Sequence, residues 1–353
     1  MRIKLAILED DRSYLDRIAA VFNSRYADKI ETYSFTDPSV ALATLETARI
    51  DVFLAGENQE INVSEIPKRC GFAYLVNSSG VETVKNQIAV SKYQKADLIY
   101  KQVLGIYSET AGSLAGIKIG DESCDCIIFT SPAGGVGTSS VAAACAISLT
   151  AKGKKALYLN LEKFGSSDVF FSAEGSFDMS DVIFALKNKK SNFLLKLESC
   201  VRRDSRGVFF YSQPQNALDM LELNMDEIIH LITEIKLSGL FDYIIADFDF
   251  SLSKAWFAIL RQARNIVWVS DGEEISNVKV GRANRAFEIL DLSEEYPLMS
   301  RLRIIYNKFS NKTGKKVDEL EGKCFGGAPR YDRATTAQVL DQLSGLQLFD
   351  EFS

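Results

Sequence analysis

A glycine-rich turn between two apolar segments holds the residues of this 353-residue chain whose types and spacing could bind phosphate. The apolar, β-prone segment 127–130 precedes the turn, and the alanine-rich segment 141–149 follows it. The turn reads Ala133, Gly134, Gly135, Val136, Gly137, Thr138, Ser139 and Ser140. Glycine accepts positive φ and lets backbone N–H groups approach a ligand, and a helix N-terminus favours negative charge. A serine hydroxyl there can bind Mg²⁺ that phosphates hold. The stretch predicts a strand, loop and helix that bind a nucleotide triphosphate; an ordinary strand-to-helix turn is the alternative.

Two further apolar segments end in side chains that suit a metal ion or a water molecule. Asn160 and Glu162 follow one such segment, and Asp247 closes another. An aspartate that ends an apolar strand beside a phosphate-binding loop typically holds Mg²⁺. We therefore expect Asp247 to join Ser139 as a metal ligand, and a solvated strand end is the alternative for Asp247.

Composition places the chain among globular proteins. Its net charge is −6, so its overall field does not favour nucleic acid. Cys124 and Cys126 open an alternating strand, which favours strand packing over a metal site, and the single histidine, His230, falls on helical apolar spacing. We expect reduced thiols and a cytosolic setting.

No apolar run approaches the roughly 20 residues of a membrane span. The chain turns acidic at Glu9, which argues against a signal peptide.

Strand-like and helix-like segments alternate in the first third of the chain. The expected strands there are 3–8, 32–35, 51–55, 72–76 and 96–100. Apolar residues at helical spacing follow the first strand, and Asp37 followed by Pro38 caps a second helix. Further strands are expected at 265–269 and 302–306. Such alternation predicts parallel α/β sheets.

Residues 1–104 resemble the CheY-like receiver domain of two-component signalling. The acidic residues 9–11 match the strand end that holds Mg²⁺ in that family, and Lys101 matches its lysine after the fifth strand. The family's acceptor aspartate falls at Gly56 here. Because a carboxylate is the nucleophile of that chemistry, the resemblance implies an atypical receiver that is not phosphorylated in the usual way and serves in docking or dimerisation. The alternative is that these acids and the lysine are simply solvated.

Residues 105–122 contain four glycines among serine, threonine and small residues. This composition is typical of a flexible linker. We therefore expect an atypical receiver domain at 1–104, a linker at 105–122 and a nucleotide-binding domain at 123–353. The expected fold class is α/β in both domains, with a mostly parallel sheet in the second.

The glycine-rich turn resembles the deviant P-loop of the MinD/ParA group of ATPases, which reads Lys-Gly-Gly-x-Gly-Lys-Thr-Thr. The glycines and hydroxyls match, but Ala133 and Thr138 replace the two lysines. The resemblance implies that the turn binds ATP. Loss of a lysine forgoes an attraction to phosphate of about 4 kcal/mol at an effective dielectric constant of about 20. Lys163 is a candidate replacement by proximity along the chain, although it could equally be solvated.

In the MinD/ParA group the strand after the P-loop helix ends in Asp-x-Asp, and the second acid helps to position the attacking water. Asn160 and Glu162 hold those positions here. The resemblance implies Glu162 and Asp247 as the catalytic candidates and Ser139 and Asp247 as the Mg²⁺ ligands.

Two later matches concern the base of the nucleotide. The group uses an asparagine after a late strand to hydrogen-bond adenine, and Asn307 fits that place. Its Pro-Tyr-Asp segment, which packs beside the base, is matched by Pro329, Tyr331 and Asp332.

Residues 164–169 and 213–217, with the atypical receiver in front, resemble the TadZ/CpaE branch, which serves assembly of Tad (Flp) pili at cell poles. The resemblance implies a homodimeric, ATP- and Mg²⁺-binding localisation scaffold that works with pilus secretion and assembly proteins and is at most a weak ATPase. It implies a cytoplasmic protein held at a pole, or at the inner face of the membrane, through partners. The segment 346–353 is acidic, so a MinD-like membrane helix is not expected.

Two other functions stay open. The first is a cycling ParA/MinD-type ATPase that positions cargo or DNA. It needs positive charge at the transferring phosphate, which Thr138 does not supply. The second is a response regulator controlled by phosphorylation. It needs an acceptor aspartate, and glycine stands at that position, Gly56.

Overall fold

The computed structural model describes residues 2–110, 124–189, 192–292 and 297–352. The chain divides into two compact units. The first comprises Met1–Ile117 together with Lys187–Cys200, and the second comprises Lys118–Leu186 together with Val201–Ser353. A short segment from the second half of the chain therefore belongs to the first unit.

Strands and helices alternate along the first unit. Its elements in chain order are β1 (Ile3–Leu8), α1 (Arg12–Arg25), β2 (Ile30–Phe35), α2 (Pro38–Thr47), β3 (Val52–Gly56), β4 (Gly71–Val76), β5 (Thr83–Val84), β6 (Gln87–Ser91) and α3 (Ala96–Thr110). The carboxylates of Asp11 and Asp37 accept backbone N–H groups at the starts of α1 and α2, and Pro38 occupies the first turn of α2. Local sequence thus sets where both helices begin.

The described strands of the first unit form one sheet in the order β2-β1-β3-β4-β6-β5. The pairs are parallel except for the β5–β6 hairpin, which turns at Lys85 and Asn86 with positive φ at both, as a two-residue hairpin turn requires. Side chains of α1 and α3 pack on one face of the sheet and those of α2 on the other. Parallel pairing brings the ends of β1, β3 and β6 to the same edge of the sheet.

The strand predicted at 96–100 is wrong, because these residues begin the 15-residue helix α3. Ile99 and Val103 are buried one helical turn apart, a spacing that a five-residue window is too short to reveal. The fifth parallel strand is β6, which ends directly before Lys92. Because α3 runs through Thr110, the first residues of the predicted linker are helical, and residues 111–122 lie outside the described residues.

The remaining elements continue the numbering. In chain order they are β7 (Asp125–Thr130), α4 (Thr138–Ala151), β8 (Ala156–Asn160), α5 (Ser167–Phe170), α6 (Met179–Lys187), α7 (Phe193–Cys200), β9 (Arg202–Arg203), β10 (Phe209–Phe210), α8 (Leu218–Leu221), α9 (Met225–Leu237), β11 (Tyr243–Asp247), α10 (Lys254–Leu260), β12 (Asn265–Ser270), α11 (Glu274–Asp291), β13 (Leu302–Tyr306), β14 (Cys324–Gly327) and α12 (Thr336–Ser344).

Helix α7 belongs to the first unit and packs against α3. The Tyr100 hydroxyl donates to Glu198 of α7 at 3.1 Å, and the Lys29 ammonium lies 2.5 Å from the same carboxylate. The first unit is therefore completed by a segment from within the predicted second domain, 123–353.

The described strands of the second unit form one sheet in the order β14-β13-β12-β7-β11-β8-β10-β9, in which β9 pairs antiparallel with β10 and the other pairs are parallel. β7 lies between β11 and β12, and α4 leads away from it to β8. The carboxyl end of β7 is thus a topological switch point, where open α/β sheets bind ligands. Residues 141–149 of α4 are all buried, and their small side chains let the helix lie close to the sheet.

The C-terminal residues pack onto the second unit. Leu348, Phe349 and Phe352 of the 3₁₀ helix Gln347–Phe352 are buried in the apolar cluster that contains α4. Among the described residues, no helix is long and apolar enough to cross a bilayer.

Candidate functional site

The glycine-rich turn leaves β7 at Thr130 and enters α4 at Thr138. Gly135 and Gly137 have φ of +79° and +86°, in the left-handed region that favours glycine. Gly137 is the N-cap of α4, and no side chain caps this described helix start. The first backbone N–H groups of α4 therefore remain for an anion at the helix N-terminus.

Two residues that follow β13 hold the turn in shape. The Asn307 side-chain amide donates to the Val136 carbonyl, and the Lys308 ammonium donates to the Gly135 carbonyl, both at 2.8 Å. A Cβ at Gly137 would lie 2.5 Å from the Asn307 amide nitrogen. Glycine is therefore required at Gly137 for space as well as for φ.

A cavity of about 380 Å³ lies beside the turn. Its walls come from the turn, from the residues after β8 and from those after β11. They are Ser131, Ala133, Gly134, Gly135, Gly137, Thr138, Ser139, Ser140, Glu162, Ser166, Phe170, Phe248, Asp249 and Phe250. A Cβ at Gly134 or Gly135 would meet no described atom within 4 Å, so the turn leaves open space for a ligand.

Polar side chains at the ends of β8 and β11 form a network with the start of α4. The Tyr158 hydroxyl donates to Asp247 Oδ2 at 2.8 Å, and the Asn160 amide donates to the same oxygen at 3.2 Å. The Asn160 amide also donates to Glu162 Oε2 at 3.0 Å, and this oxygen accepts the Ser139 hydroxyl at 3.3 Å. The predicted metal ligands, Ser139 and Asp247, are thus brought together with the predicted water-positioning acid, Glu162.

Asp247 is fully buried, and its Oδ1 has no hydrogen-bond partner among the described residues. Burial, with a smaller contribution from the Glu162 carboxylate, raises the pKa of Asp247 to about 8. Burial also raises the pKa of Glu162. A buried carboxylate oxygen without a partner is costly unless a donor or cation meets it. Asp247 and Ser139 therefore fit Mg²⁺, which prefers oxygen ligands.

The residues predicted to contact the base lie elsewhere. Asn307 is buried, with its amide bound to Val136. Pro329 and Asp332 are exposed after β14, and Tyr331 is half-buried. None of these residues lines the described cavity, so their contacts with adenine stay a prediction.

The cation that contacts the turn is one that sequence reasoning missed. Lys163 is exposed, and its backbone N–H donates to Asp249 Oδ2 at 3.1 Å. Lys308 is the lysine that reaches the turn, through the Gly135 carbonyl. Its one signal in the sequence is its place directly after Asn307.

The two segments quoted for the TadZ/CpaE resemblance contact each other. The Gln213 side-chain amide donates to Ser167 Oγ at 3.1 Å, and the Gln213 backbone N–H donates to Asp168 Oδ2 at 2.7 Å. A Cβ at Gly165 would lie 2.5 Å from both Asn160 Oδ1 and the Gln213 amide nitrogen. Gln213 therefore fixes the loop after β8 that forms one wall of the cavity.

In the first unit, the acid that follows β1 meets the lysine that follows β6. Glu9 Oε2 lies 2.6 Å from Lys92 Nζ, and the two side chains are only 7% and 6% exposed. Glu9 Oε1 accepts the backbone N–H groups of Asp10 and Asp11 at 3.1 and 3.3 Å. A Cβ at Gly56 would lie 3.0 Å from Glu9 Oε2. A buried ion pair thus occupies the place beside Gly56.

Lys92, rather than the predicted Lys101, is the lysine of this sheet edge, because Lys101 lies within α3. The two acids after Glu9 also have partners within the protein. The Gln59 amide donates to Asp10 Oδ1 at 2.7 Å, and Asp11 caps α1.

Residues 1–108 match the family model described as the TadZ-like receiver domain. The first unit carries a TadZ-like receiver domain. Gly56 and the Glu9–Lys92 pair therefore lie within a TadZ-like receiver domain. No protein with a curated description matches the chain.

Three solved structures resemble this chain over about two thirds of its length. The ParA family ATPase from Chlorobium tepidum TLS matches with 22% identity and a TM-score of 0.52, over 65% of this chain and 95% of that one. The MinC:MinD cell division protein complex of Aquifex aeolicus has 19% identity, a TM-score of 0.47 and coverages of 62% and 94%. The septum site-determining protein MinD from Pyrococcus horikoshii OT3, complexed with Mg-ADP, has 15% identity, a TM-score of 0.46 and coverages of 63% and 94%. The first match shows the fold of the second unit and, with the receiver match, confirms the predicted fold class.

The aromatic wall of the cavity was missed from the sequence. Phe170 comes from α5, and Phe248 and Phe250 lie within three residues of the end of β11. The rule that ligands bind at the carboxyl ends of parallel strands could have found Phe248 and Phe250.

Proposed function

We propose that this chain is an ATP-binding scaffold of Tad (Flp) pilus assembly, whose second unit binds ATP with Mg²⁺, pairs with a second copy and hydrolyses ATP weakly or not at all. The open turn carries this proposal. It offers uncapped backbone N–H groups beside a cavity of about 380 Å³, with Ser139 and Asp247 near it. Bound Mg²⁺ would neutralise phosphate charge. The TadZ-like receiver supports the assignment to pilus assembly.

The composition of the site supports weak hydrolysis. Ala133 and Thr138 stand where the family has lysines, and the described cavity wall contains no lysine or arginine. Lys308 donates to a carbonyl of the turn and does not line the described cavity. Asn160 is an amide that cannot take a proton from water. The site therefore offers little positive charge to a transferring phosphate.

Apolar surface near the cavity supports pairing with a second copy. Phe164 and Val169 are 78% and 66% exposed in the segment from the end of β8 through α5, which also supplies Ser166 and Phe170 to the cavity wall. Large exposed apolar side chains that cluster around a site favour association there. A second copy on this side would also cover bound ATP.

The receiver unit has a docking role in this proposal. Gly56 stands where a receiver has its acceptor aspartate, and the buried Glu9–Lys92 pair lies beside it. The receiver unit therefore contributes a docking surface for pilus secretion and assembly proteins rather than a phosphorylation site. Such partners would hold the chain at a cell pole, or at the inner face of the membrane, from the cytoplasm.

One observation favours the cycling ParA/MinD-type ATPase instead. Glu162 is half-buried beside the cavity and accepts the Ser139 hydroxyl, which is a suitable place for an acid that orients water. The rate of turnover separates this alternative from the scaffold.

Calorimetry of ATP binding in the presence of Mg²⁺ tests the proposal. Gly137→Val should abolish binding, because φ is +86° and a side chain would collide with Asn307. Gly322→Ala is the matched control, since a Cβ there meets no described atom within 4 Å. Unchanged ATP affinity in Gly137→Val would contradict the proposed site. Sedimentation of the same samples should show dimers that depend on ATP at low protein concentration.

A further inference from the structure

The outer face of α11 carries a row of exposed apolar and cationic side chains. They recur at alternating steps of three and four residues along this 18-residue helix, which is the heptad spacing of a helix–helix seam. The row consists of Ile275, Val278, Arg282, Arg285, Ile289 and Leu292, and is called the α11 stripe below. Its four apolar side chains are 73%, 56%, 69% and 88% exposed, in chain order.

The opposite face of α11 is firmly packed. Val280 and Phe287 are fully buried, and the Phe287 ring centre lies 5.6 Å from that of Trp268 and 5.0 Å from that of Phe257. The stripe therefore stands on a helix that the core holds in place. An apolar row this long on a rigid surface helix is typical of an interaction site.

Positive charge interrupts the apolar row at its middle. Arg282 and Arg285 lie one turn apart, with an apolar pair on either side of them. Arg285 lies 3.9 Å from Glu319, and both side chains are exposed, so this ion pair is weak. Arg282 is exposed and forms no ion pair with a described residue. The α11 stripe is therefore apolar at both ends and positively charged in the middle.

Two copies of this chain would not pair favourably stripe to stripe in register. In an antiparallel pairing, the two-fold axis places Arg282 opposite Arg285, and a parallel pairing places each arginine opposite itself. Like charges across an interface oppose association. An occupant with acidic residues at the middle of the seam avoids this repulsion and meets Arg282 and Arg285 with opposite charge.

An anionic membrane surface also fits poorly. Helices that bind membranes carry a strongly basic polar face. Glu273, Glu274 and Glu288 are exposed on or beside α11, and the chain as a whole has a net charge of −6.

We propose that the α11 stripe docks an amphipathic helix of a partner protein, with acidic residues that meet Arg282 and Arg285 and apolar residues that meet the two ends. From Ile275 to Leu292 the seam measures about 25 Å, or roughly five helical turns. Apolar contacts at the ends supply attraction, and the central charges set the register and disfavour in-register pairing of two copies. None of its residues lines the described cavity beside the glycine-rich turn.

Two synthetic helical peptides of equal length test this proposal on the full chain. Both carry leucine at the heptad positions that face the apolar ends, and they differ only in glutamate or lysine at the two central positions. Fluorescence anisotropy should show at least about tenfold tighter binding of the glutamate peptide. Equal affinity for the two peptides, or binding of neither, would overturn the proposal.

Charge reversal sharpens the test. Arg282→Glu/Arg285→Glu should invert the peptide preference, whereas Lys154→Glu/Lys155→Glu makes the same change in net charge on an exposed loop and should leave it unchanged. These positions are exposed, so the variants should fold. The same preference in both double variants, or binding to anionic vesicles that Arg282→Glu/Arg285→Glu abolishes, would reject the docked helix. Gly137→Val should keep the peptide preference, which separates this inference from the nucleotide site.

Discussion

Both units place carboxylates at the ends of parallel strands, but the two carboxylates differ in whether the protein supplies a cation beside them. In the receiver unit, Glu9 and Lys92 lie 2.6 Å apart in the interior, and a Cβ at Gly56 would contact Glu9. In the second unit, Asp247 Oδ1 meets no described partner, and the cavity beside the turn has a volume of about 380 Å³. The Glu9 carboxylate thus has a cation beside it within the protein, whereas the Asp247 carboxylate has none among the described residues.

This difference shows that a strand-end acid indicates a ligand site only when no side chain of the protein neutralises it. A buried carboxylate costs free energy until a cation or donor meets it. Lys92 supplies that cation to Glu9, so a metal ion would have little to add there. No lysine or arginine lines the described cavity near Asp247, so a cation bound with a nucleotide would stabilise that carboxylate.

The largest expected effect is the complete absence of phosphorylation of the receiver unit, compared with an ordinary receiver. Acetyl phosphate should not label the receiver unit, because Gly56 offers no carboxylate and Lys92 is already paired with Glu9. Mass spectrometry of the treated full chain, beside an ordinary receiver as positive control, checks this. A phospho-aspartate among residues 1–108 would break the contrast between the two sites.

The next largest effect concerns the stability of the receiver unit. Lys92→Ala leaves the Glu9 carboxylate buried without a cation, and removing one partner of a buried pair costs about 3–5 kcal/mol. Hydrogen exchange of the β1 and β6 amides should accelerate accordingly, while the amides of β7 and β11 should change little. Lys68→Ala, at an exposed position, is the control.

A double variant tests whether the pair or the lysine alone matters. Glu9→Gln/Lys92→Met removes both charges, so it should recover much of the stability lost in Lys92→Ala. Equal loss in the single and double variants would mean that the Lys92 stem, rather than its charge, supports β6.

The receiver site was mispredicted from the sequence for a definite reason. Residues 96–100 look like a strand in isolation, but buried residues such as Ile99 and Val103 belong to one face of α3. The true strand, β6, is short and follows a hairpin that starts at β5. Choosing the wrong strand moved the predicted lysine from Lys92 to Lys101. Strand pairing joins residues distant along the chain, and a single sequence does not show it.

The local structure of the glycine-rich turn was easier to predict, because the turn lies in one continuous stretch of the chain. The turn, its glycines and the start of α4 lie in one continuous stretch, and Asp247 closes a strongly apolar strand. What the sequence could not show were contacts across long separations, such as that of Lys308 with Gly135, 173 residues apart. The hydrogen bond from the Tyr158 hydroxyl to Asp247, 89 residues away along the chain, is another such contact.

Turnover gives the next effect in size. The wild-type chain should hydrolyse ATP barely detectably, since loss of one electrostatic donor lowers rates by about 10²–10³. Thr138→Lys should raise phosphate release, whereas Thr138→Met, similar in length and uncharged, should not. A wild-type rate on the order of 1 s⁻¹ or more, in the ordinary range of enzymes, would favour the cycling ATPase and contradict the scaffold.

The smallest expected effect comes from Tyr158, and it probes how incomplete the Asp247 site is. Tyr158→Phe removes the 2.8 Å hydrogen bond to Asp247 Oδ2 and leaves the Asn160 amide as its described donor. Loss of a donor to a buried polar group costs about 1–3 kcal/mol. We expect this loss in denaturant unfolding of the second unit without nucleotide. Tyr243→Phe, at the opposite end of β11, should cost less.

The comparison with ligand is the decisive part of that experiment. If ATP with Mg²⁺ brings a cation to Asp247, the carboxylate regains a partner, so the destabilisation by Tyr158→Phe should shrink when both are present. ATP with EDTA should not have this effect, because the nucleotide alone adds no positive charge at Asp247. Mutational costs that are equal under all three conditions would mean that Asp247 does not face the metal. Asp247 would then be a structural carboxylate like Glu9, and the contrast between the two units would disappear.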